Sequence, residues 1–176
     1  MSKFRCQTRK IRLIKKIIMR GPMNEKMKLY DAIMENYLLL VDSDRRFFAR
    51  FQLSQVRFFT LFHIWQNPGI SLTELSKKLL CTKGNVTRIV QGMASEELLS
   101  IFKNREDQRA MNIFLTEKGK EKYSQVKNEF ETFNQRRFSS VNAENEKLIE
   151  LMTSLKTGLE NSLKTIDRKE TVCNNS

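Results

Sequence analysis

Histidine is all but missing from this sequence. His63 is the only one, and the three cysteines, Cys6, Cys81 and Cys173, stand far apart. A structural zinc site needs clustered cysteine and histidine ligands, and a thiol nucleophile needs a histidine within reach, so neither finds support here. An odd, scattered set of cysteines gives no disulfide framework and fits a reducing compartment. There is no glycine-rich phosphate loop and no nucleophile elbow. These absences speak against an enzyme, a bound metal and a cofactor. Long apolar runs are lacking as well. The stretch from Ile11 to Ile18 is broken by Arg12, Lys15 and Lys16, is too short to span a bilayer, and precedes no small-residue cleavage site. A cytoplasmic chain without membrane attachment is the expectation. Proline (two) and glycine (six) are also scarce among 176 residues, so helices can run long.

What the chain does have is positive charge, unevenly placed. The formal net charge is +12, but the first twenty residues carry eight lysines and arginines and no acid, which leaves +4 for the rest. The basicity belongs to an N-terminal arm, residues 1–23, closed by Gly21-Pro22. That arm could lie on a membrane surface, touch phosphates, pack across a dimer, or be a dispensable extension. Within it Cys6, beside Arg5, Arg9 and Lys10, has the surroundings of a thiolate and is weighed as a redox sensor.

Helical periodicity then recurs. Met27, Tyr30, Ile33 or Met34, Tyr37, Leu38 and Val41 form one stripe. Ser54 is a cap candidate for a second helix that carries Val56, Phe59, Phe62 and Trp65 inward and ends before Asn67-Pro68-Gly69. His63 falls in that helix, where a hydrogen-bonded structural imidazole is expected. Phe47, Phe48, Phe51, Phe58, Phe59 and Phe62 either line a ligand pocket or simply pack. Tyr123, Val126, Phe130 and Phe133 continue at steps of three and four. Leu148, Met152, Leu155, Leu159, Leu163 and Ile166 form a last stripe of about five turns. So long a stripe needs a partner surface, either a dimer seam or an intrachain core.

The segment from Ser71 to Gly119 carries the functional signal. Ser71-Leu72-Thr73-Glu74 is a capping box, and Leu72, Leu75 and Leu79 mark a short buried face. Thr82 caps a second short helix whose apolar side is Val86, Ile89, Val90 and Met93. Two capped helices joined by a tight turn describe a helix-turn-helix. The opposite side of the second helix presents Lys83, Asn85, Thr87, Arg88 and Gln91, groups able to read base edges or meet phosphates. Cys81, in the turn, is expected to pack as a small apolar group rather than sense redox state. Residues 99–103 and 110–115 then change to strand character around the polar tip Asn104 to Arg109.

In that order these features resemble the MarR family of bacterial transcriptional regulators. The residues carrying the resemblance are Leu72-Thr73-Glu74-Leu75-Ser76-Lys77-Lys78-Leu79, Thr82-Lys83-Gly84-Asn85-Val86-Thr87-Arg88-Ile89-Val90, Asp107-Gln108-Arg109 and Leu115-Thr116-Glu117-Lys118-Gly119. The resemblance implies a mainly α fold with a small β wing: a winged helix-turn-helix at 53–119, an N-terminal dimerisation helix at 24–52, C-terminal dimerisation helices at 120–168 and a polar tail at 169–176. It implies a triangular homodimer that binds double-stranded DNA at a pseudo-palindromic site as a transcriptional regulator, with repression the commoner sign. Thr82, Lys83, Asn85, Thr87, Arg88 and Gln91 would meet the major groove. Arg109, oriented by Asp107, would approach the minor groove, with Arg105 on the same wing tip. Small aromatic or amphipathic effectors would release the DNA. The contrasting reading is a winged helix that docks a protein or membrane and no longer reads DNA. Leu80 and Glu97 stand where the family usually has glycine. Altered backbone angles are expected there, because other residues resist positive φ.

Overall fold

The computed structural model describes residues 24–103, 111–139 and 145–173. The N-terminal arm with Cys6, and the wing tip with Arg105, Asp107 and Arg109, lie outside the described residues. The chain forms two compact units, residues 1–128 and 129–176.

In the first unit, α1 (Glu25–Ala49) is capped by Asn24, whose side chain accepts from the Met27 amide. It is followed by α2 (Gln55–Gln66), β1 (Ile70–Ser71), α3 (Leu72–Leu79), α4 (Lys83–Ser95), β2 (Leu99–Lys103) and β3 (Met111–Leu115). Helix α5 (Glu117–Arg137) begins in this unit and continues into the second, which also holds α6 (Asn145–Cys173). The antiparallel sheet has the order β1-β3-β2, with Ile70 opposite Ile113, and Leu99 opposite Leu115. A helix-turn-helix followed by this hairpin is a winged helix. The expected caps at Ser54, Ser71 and Thr82 all form, and Glu74 reaches back to the Ser71 amide to complete the box.

The core of this unit joins Phe47, Phe48, Phe58, Leu61, Ile64, Leu75, Val86, Val90, Met93, Ile113, Tyr123 and Val126, all buried. Phe48 stacks on Phe58 with ring centres 4.7 Å apart, and Phe58 stacks on Tyr123 at 5.9 Å. Phe47, Phe48 and Phe58 of the phenylalanine cluster therefore pack in the core, while Phe51, Phe59 and Phe62 are half-buried. The inward face of α2 differs from the expected one: Phe58, Leu61 and Ile64 are buried, whereas Val56, Phe59 and Phe62 are half-buried and Trp65 is exposed. Because α2 is apolar on nearly every side, two stripes fit the helical period, and only tertiary packing chooses between them. His63 lies half-buried against the Phe62 ring, but its buried Nδ1 meets no hydrogen-bond partner, so the expected satisfied imidazole is not formed. Burial, aided by Lys78, lowers its pKa.

The expectation of altered angles at Leu80 and Glu97 is overturned. Both keep the left-handed backbone, with φ of 50° and 61°, and Gln52 does so as well at 57°. The reason is a shared device. After each of α1, α3 and α4, two amides fold back onto carbonyls of the last helical turns. They are Gln52 N to Ala49 O and Leu53 N to Phe48 O, then Leu80 N to Lys77 O and Cys81 N to Ser76 O, then Glu97 N to Ala94 O and Leu98 N to Met93 O. This is the Schellman pattern, which satisfies carbonyls a helix end would leave open. Two hydrogen bonds, each worth about 1 kcal/mol net, offset a left-handed cost of roughly 1–2 kcal/mol. At α1 and α4 the paired residues Phe48 and Leu53, and Met93 and Leu98, are also buried.

In the second unit, the C-terminal part of α5 sets Phe130 and Phe133 with ring centres 6.4 Å apart, and the Arg137 guanidinium lies over Phe133 at 4.9 Å. Helix α6 extends five residues beyond the expected boundary at 168, so the start of the expected polar tail is helical. Its apolar positions stay exposed: Leu148, Met152, Leu159, Leu163 and Ile166, with Leu155 half-buried. Among the described residues no helix is long and apolar enough to cross a membrane.

Candidate nucleic-acid interface

Helix α4 is fastened by one side and open on the other. Val86, Val90 and Met93 are buried at 0–2% exposure, with Ile89 half-buried beside them. At 100° per residue, the direction opposite this face carries Gly84, Arg88, Gln91 and Ser95. Lys83 and Thr87 flank it on one side, Asn85 and Gly92 on the other. Lys83, Arg88 and Gln91 are exposed, while Asn85 and Thr87 are half-buried. Of the six residues expected here, Arg88 and Gln91 thus face away from the core, Lys83, Asn85 and Thr87 stand to the sides, and Thr82 precedes the helix.

Thr82 serves as the cap: its hydroxyl accepts from the Asn85 amide at 3.4 Å. Thr87 donates its hydroxyl to the Lys83 carbonyl at 2.8 Å, which leaves its methyl and its lone pairs for a partner. Arg88 donates from Nη2 to Asn85 Oδ1 at 3.1 Å. That bond holds the guanidinium along the helix with donors to spare, since arginine has five.

The electrostatics are one-sided. From Leu75 to Ser95 there is no acidic residue, while Lys77, Lys78, Lys83 and Arg88 all fall in that span. The acids at its borders are engaged. Glu74 is bound by the Ser71 amide and hydroxyl, Glu96 is paired with Arg57, and Glu97 lies 3.1 Å from Lys118. The hydrogen bonds from Ser71 hold the Glu74 carboxyl below its ordinary pKa. The N-terminus of α4 adds the positive end of its helix dipole to the lysine field.

Two features of this face went unnoticed in the sequence. Gly84 and Gly92 sit inside the helix where an added Cβ would meet nothing within 4 Å. Packing does not require them, yet each costs about 1 kcal/mol of helix propensity relative to alanine. Their consequence is a low helix surface on either side of Arg88. The other is the exposure of Leu80, 92% in the turn before Thr82. Cys81 next to it is half-buried and free, less enclosed than expected of a core filler. Among the described residues no cluster of histidine, cysteine, aspartate or glutamate could hold a metal ion.

The comparisons with known proteins agree with this geometry. Residues 53–111 match the MarR family model. A MarR-like transcription regulator from Bacillus cereus is 26% identical and superposes with a TM-score of 0.69, over 76% of this chain and 97% of that one. The chain has a winged-helix fold, and its residues 53–111 are similar to the MarR family. Its likeness to individual relatives is modest. The HTH-type transcriptional regulator TtmR of Methylorubrum extorquens is 26% identical over 76 residues, 43% of this chain and 39% of TtmR. The uncharacterised HTH-type transcriptional regulator YdgJ of Bacillus subtilis is 28% identical over 110 residues, 62% of this chain and 67% of YdgJ.

Proposed function

We propose that this chain is a MarR-family, sequence-specific, double-stranded DNA-binding transcriptional regulator that acts as a homodimer on a pseudo-palindromic site, with repression as the expected sign. The observation that carries this reading is the α4 surface: exposed, bordered by three lysines, and free of acids from Leu75 to Ser95. Arg88 and Gln91 supply donors for base edges, and Lys83 meets phosphate at the groove edge. The wing residues Arg105, Asp107 and Arg109 are assigned to the adjacent minor groove on the family resemblance alone. One helix makes too few base contacts for physiological specificity, so two copies set about one DNA turn apart are needed, roughly 34–36 Å. The exposed apolar residues of α1 and α6 are the surfaces that would join them. They include Tyr30, Tyr37 and Leu39 on α1, and Leu159, Leu163 and Ile166 on α6.

Release by a small aromatic or amphipathic effector has a candidate seat. A cleft of about 640 Å³ is lined by Phe51, Gln52, Leu53, Glu96, Leu98 and Lys118, among others. Its size lies within the ordinary range for small-molecule sites, about 300–1,000 Å³. Glu96 and Leu98 directly follow α4, so an occupant there would press on the end of the DNA-reading helix.

The test is binding of the full chain to duplex from its own promoter region, at two salt concentrations. Arg88→Ala should weaken binding about ten- to hundredfold if the guanidinium reads a base. Lys83→Ala should weaken it uniformly across sequences and reduce the salt slope by about one. If neither substitution changes affinity, α4 is not the DNA-reading surface.

A further inference from the structure

Leu80 combines two features that the fold gives no reason to combine. It is 92% exposed, and its backbone is left-handed, with φ 50° and ψ 41°. Glycine would close the same cap after α3 with the same two amide bonds and without the steric penalty of a Cβ. The other two left-handed caps carry Gln52 and Glu97, polar side chains that stand in water at no cost. Of the three, only the cap between α3 and α4 carries a branched apolar side chain. Its exposure shows that packing within the chain does not account for it.

Its position narrows what does. Leu80 lies two residues before the cap of α4, between the exposed Lys77 and Lys78 on one side and Lys83 on the other. Whatever covers it must be anionic around an apolar group. In duplex DNA the major groove offers one such group among its base edges, the thymine C5-methyl, next to the phosphates. We infer that Leu80 is a specificity-determining residue, whose side chain packs against a thymine methyl at the edge of the groove that α4 enters. This rests on the DNA-binding reading above. The contact would make the protein favour thymine at one position of each half-site, through an apolar contact rather than a hydrogen bond. The deoxyribose of the backbone is the competing neighbour, and a contact to it would carry no base preference.

The experiment uses the full chain and a duplex it selects from a random-sequence library, with each thymine replaced in turn by deoxyuridine, which lacks only the methyl. For the wild type, at least one replacement should weaken binding by about three- to tenfold, the scale of one lost methyl contact. Leu80→Gly should bind the thymine duplex more weakly by a similar factor and be indifferent to that same replacement. The salt slope should not change, because no charge is altered. Its melting temperature should rise by roughly 1–4 °C as the left-handed strain is relieved. Leu80→Asn, which tolerates this backbone and carries no methyl, should repeat the loss of binding. If Leu80→Gly binds as tightly as the wild type, or if every deoxyuridine replacement affects both proteins equally, the thymine contact does not exist. If no duplex is selected at all, the DNA-binding reading itself fails, and this inference fails with it.

Discussion

Gly119 lies so close to Leu98 that an added Cβ would stand 2.1 Å from the Leu98 carbonyl oxygen. That oxygen is also bonded by the Thr116 amide at 3.2 Å, and Thr116 in turn donates its hydroxyl to the Glu97 carbonyl at 2.6 Å. The first turn of α5 is thereby clamped onto the turn that follows α4. The glycine is needed for close approach, not for its backbone angles. Gly119→Ala must push backbone against backbone, so it should cost about 3 kcal/mol, the upper end of overpacking effects. Thermal melting should show a fall of roughly 6–12 °C. A change of less than about 2 °C would mean that the clamp gives way easily.

The three left-handed caps predict the opposite sign. Gln52→Gly removes strain after α1 without removing a hydrogen bond, since the bonds there are made by backbone amides. It should raise the melting temperature by about 1–4 °C. Glu97→Gly should gain less, because it also removes the pair with Lys118, an exposed ion pair worth about 0.2–1 kcal/mol. Loss of stability in the Gln52 variant would show that its side chain does something the backbone geometry does not reveal.

Much of this fold was legible because it is written in local signals. Ser54, Ser71 and Thr82 each cap the helix they were expected to cap, and the change from helical to strand period at Leu99 is where β2 begins. What was hidden depended on tertiary choice. Both stripes of α2 fit the helical period, and the packing of Phe48 and Tyr123 around Phe58 decided for the less obvious one. Leu80 and Glu97 were expected to bend the backbone away from positive φ. Local propensity argued that way, and paired hydrogen bonds at the helix ends outweighed it. At the interface, the polar residues of α4 could be picked out by type and spacing. The openness around Gly84 and Gly92, and the exposure of Leu80, depend on how α3 and α4 pack and leave no local signal.

The capping box of α3 gives a dependence on pH. Hydrogen bonds from Ser71 lower the Glu74 pKa in the folded chain. A carboxyl with a folded pKa below its unfolded value adds stability above the unfolded value, and this is lost as pH falls through the folded one. Ser71→Ala removes the hydroxyl bond that contributes most. The variant should therefore melt below the wild type at neutral pH, and the gap should narrow as pH drops below the ordinary glutamate range. A gap that stays constant from pH 7 into strong acid would show that Glu74 takes no part in it.

The exposed stripe of α6 tests the assembly. Leu159 and Leu163 stand 56% and 58% exposed, one helical turn apart. On a surface that meets nothing, replacing them by aspartate would change stability by no more than about 0.5 kcal/mol each and leave the solution mass unaltered. In a two-fold seam every substitution counts twice, and burying a leucine contributes about 1.5–3 kcal/mol. Leu159→Asp with Leu163→Asp should then convert a dimer to a monomer at micromolar concentration, seen as a halved mass in sedimentation velocity. The monomer should lose affinity for a duplex with two half-sites far more than for one with a single half-site, because α4 itself is intact. A wild type that sediments as a monomer, or a double variant that keeps the dimer mass, would remove α6 from the assembly.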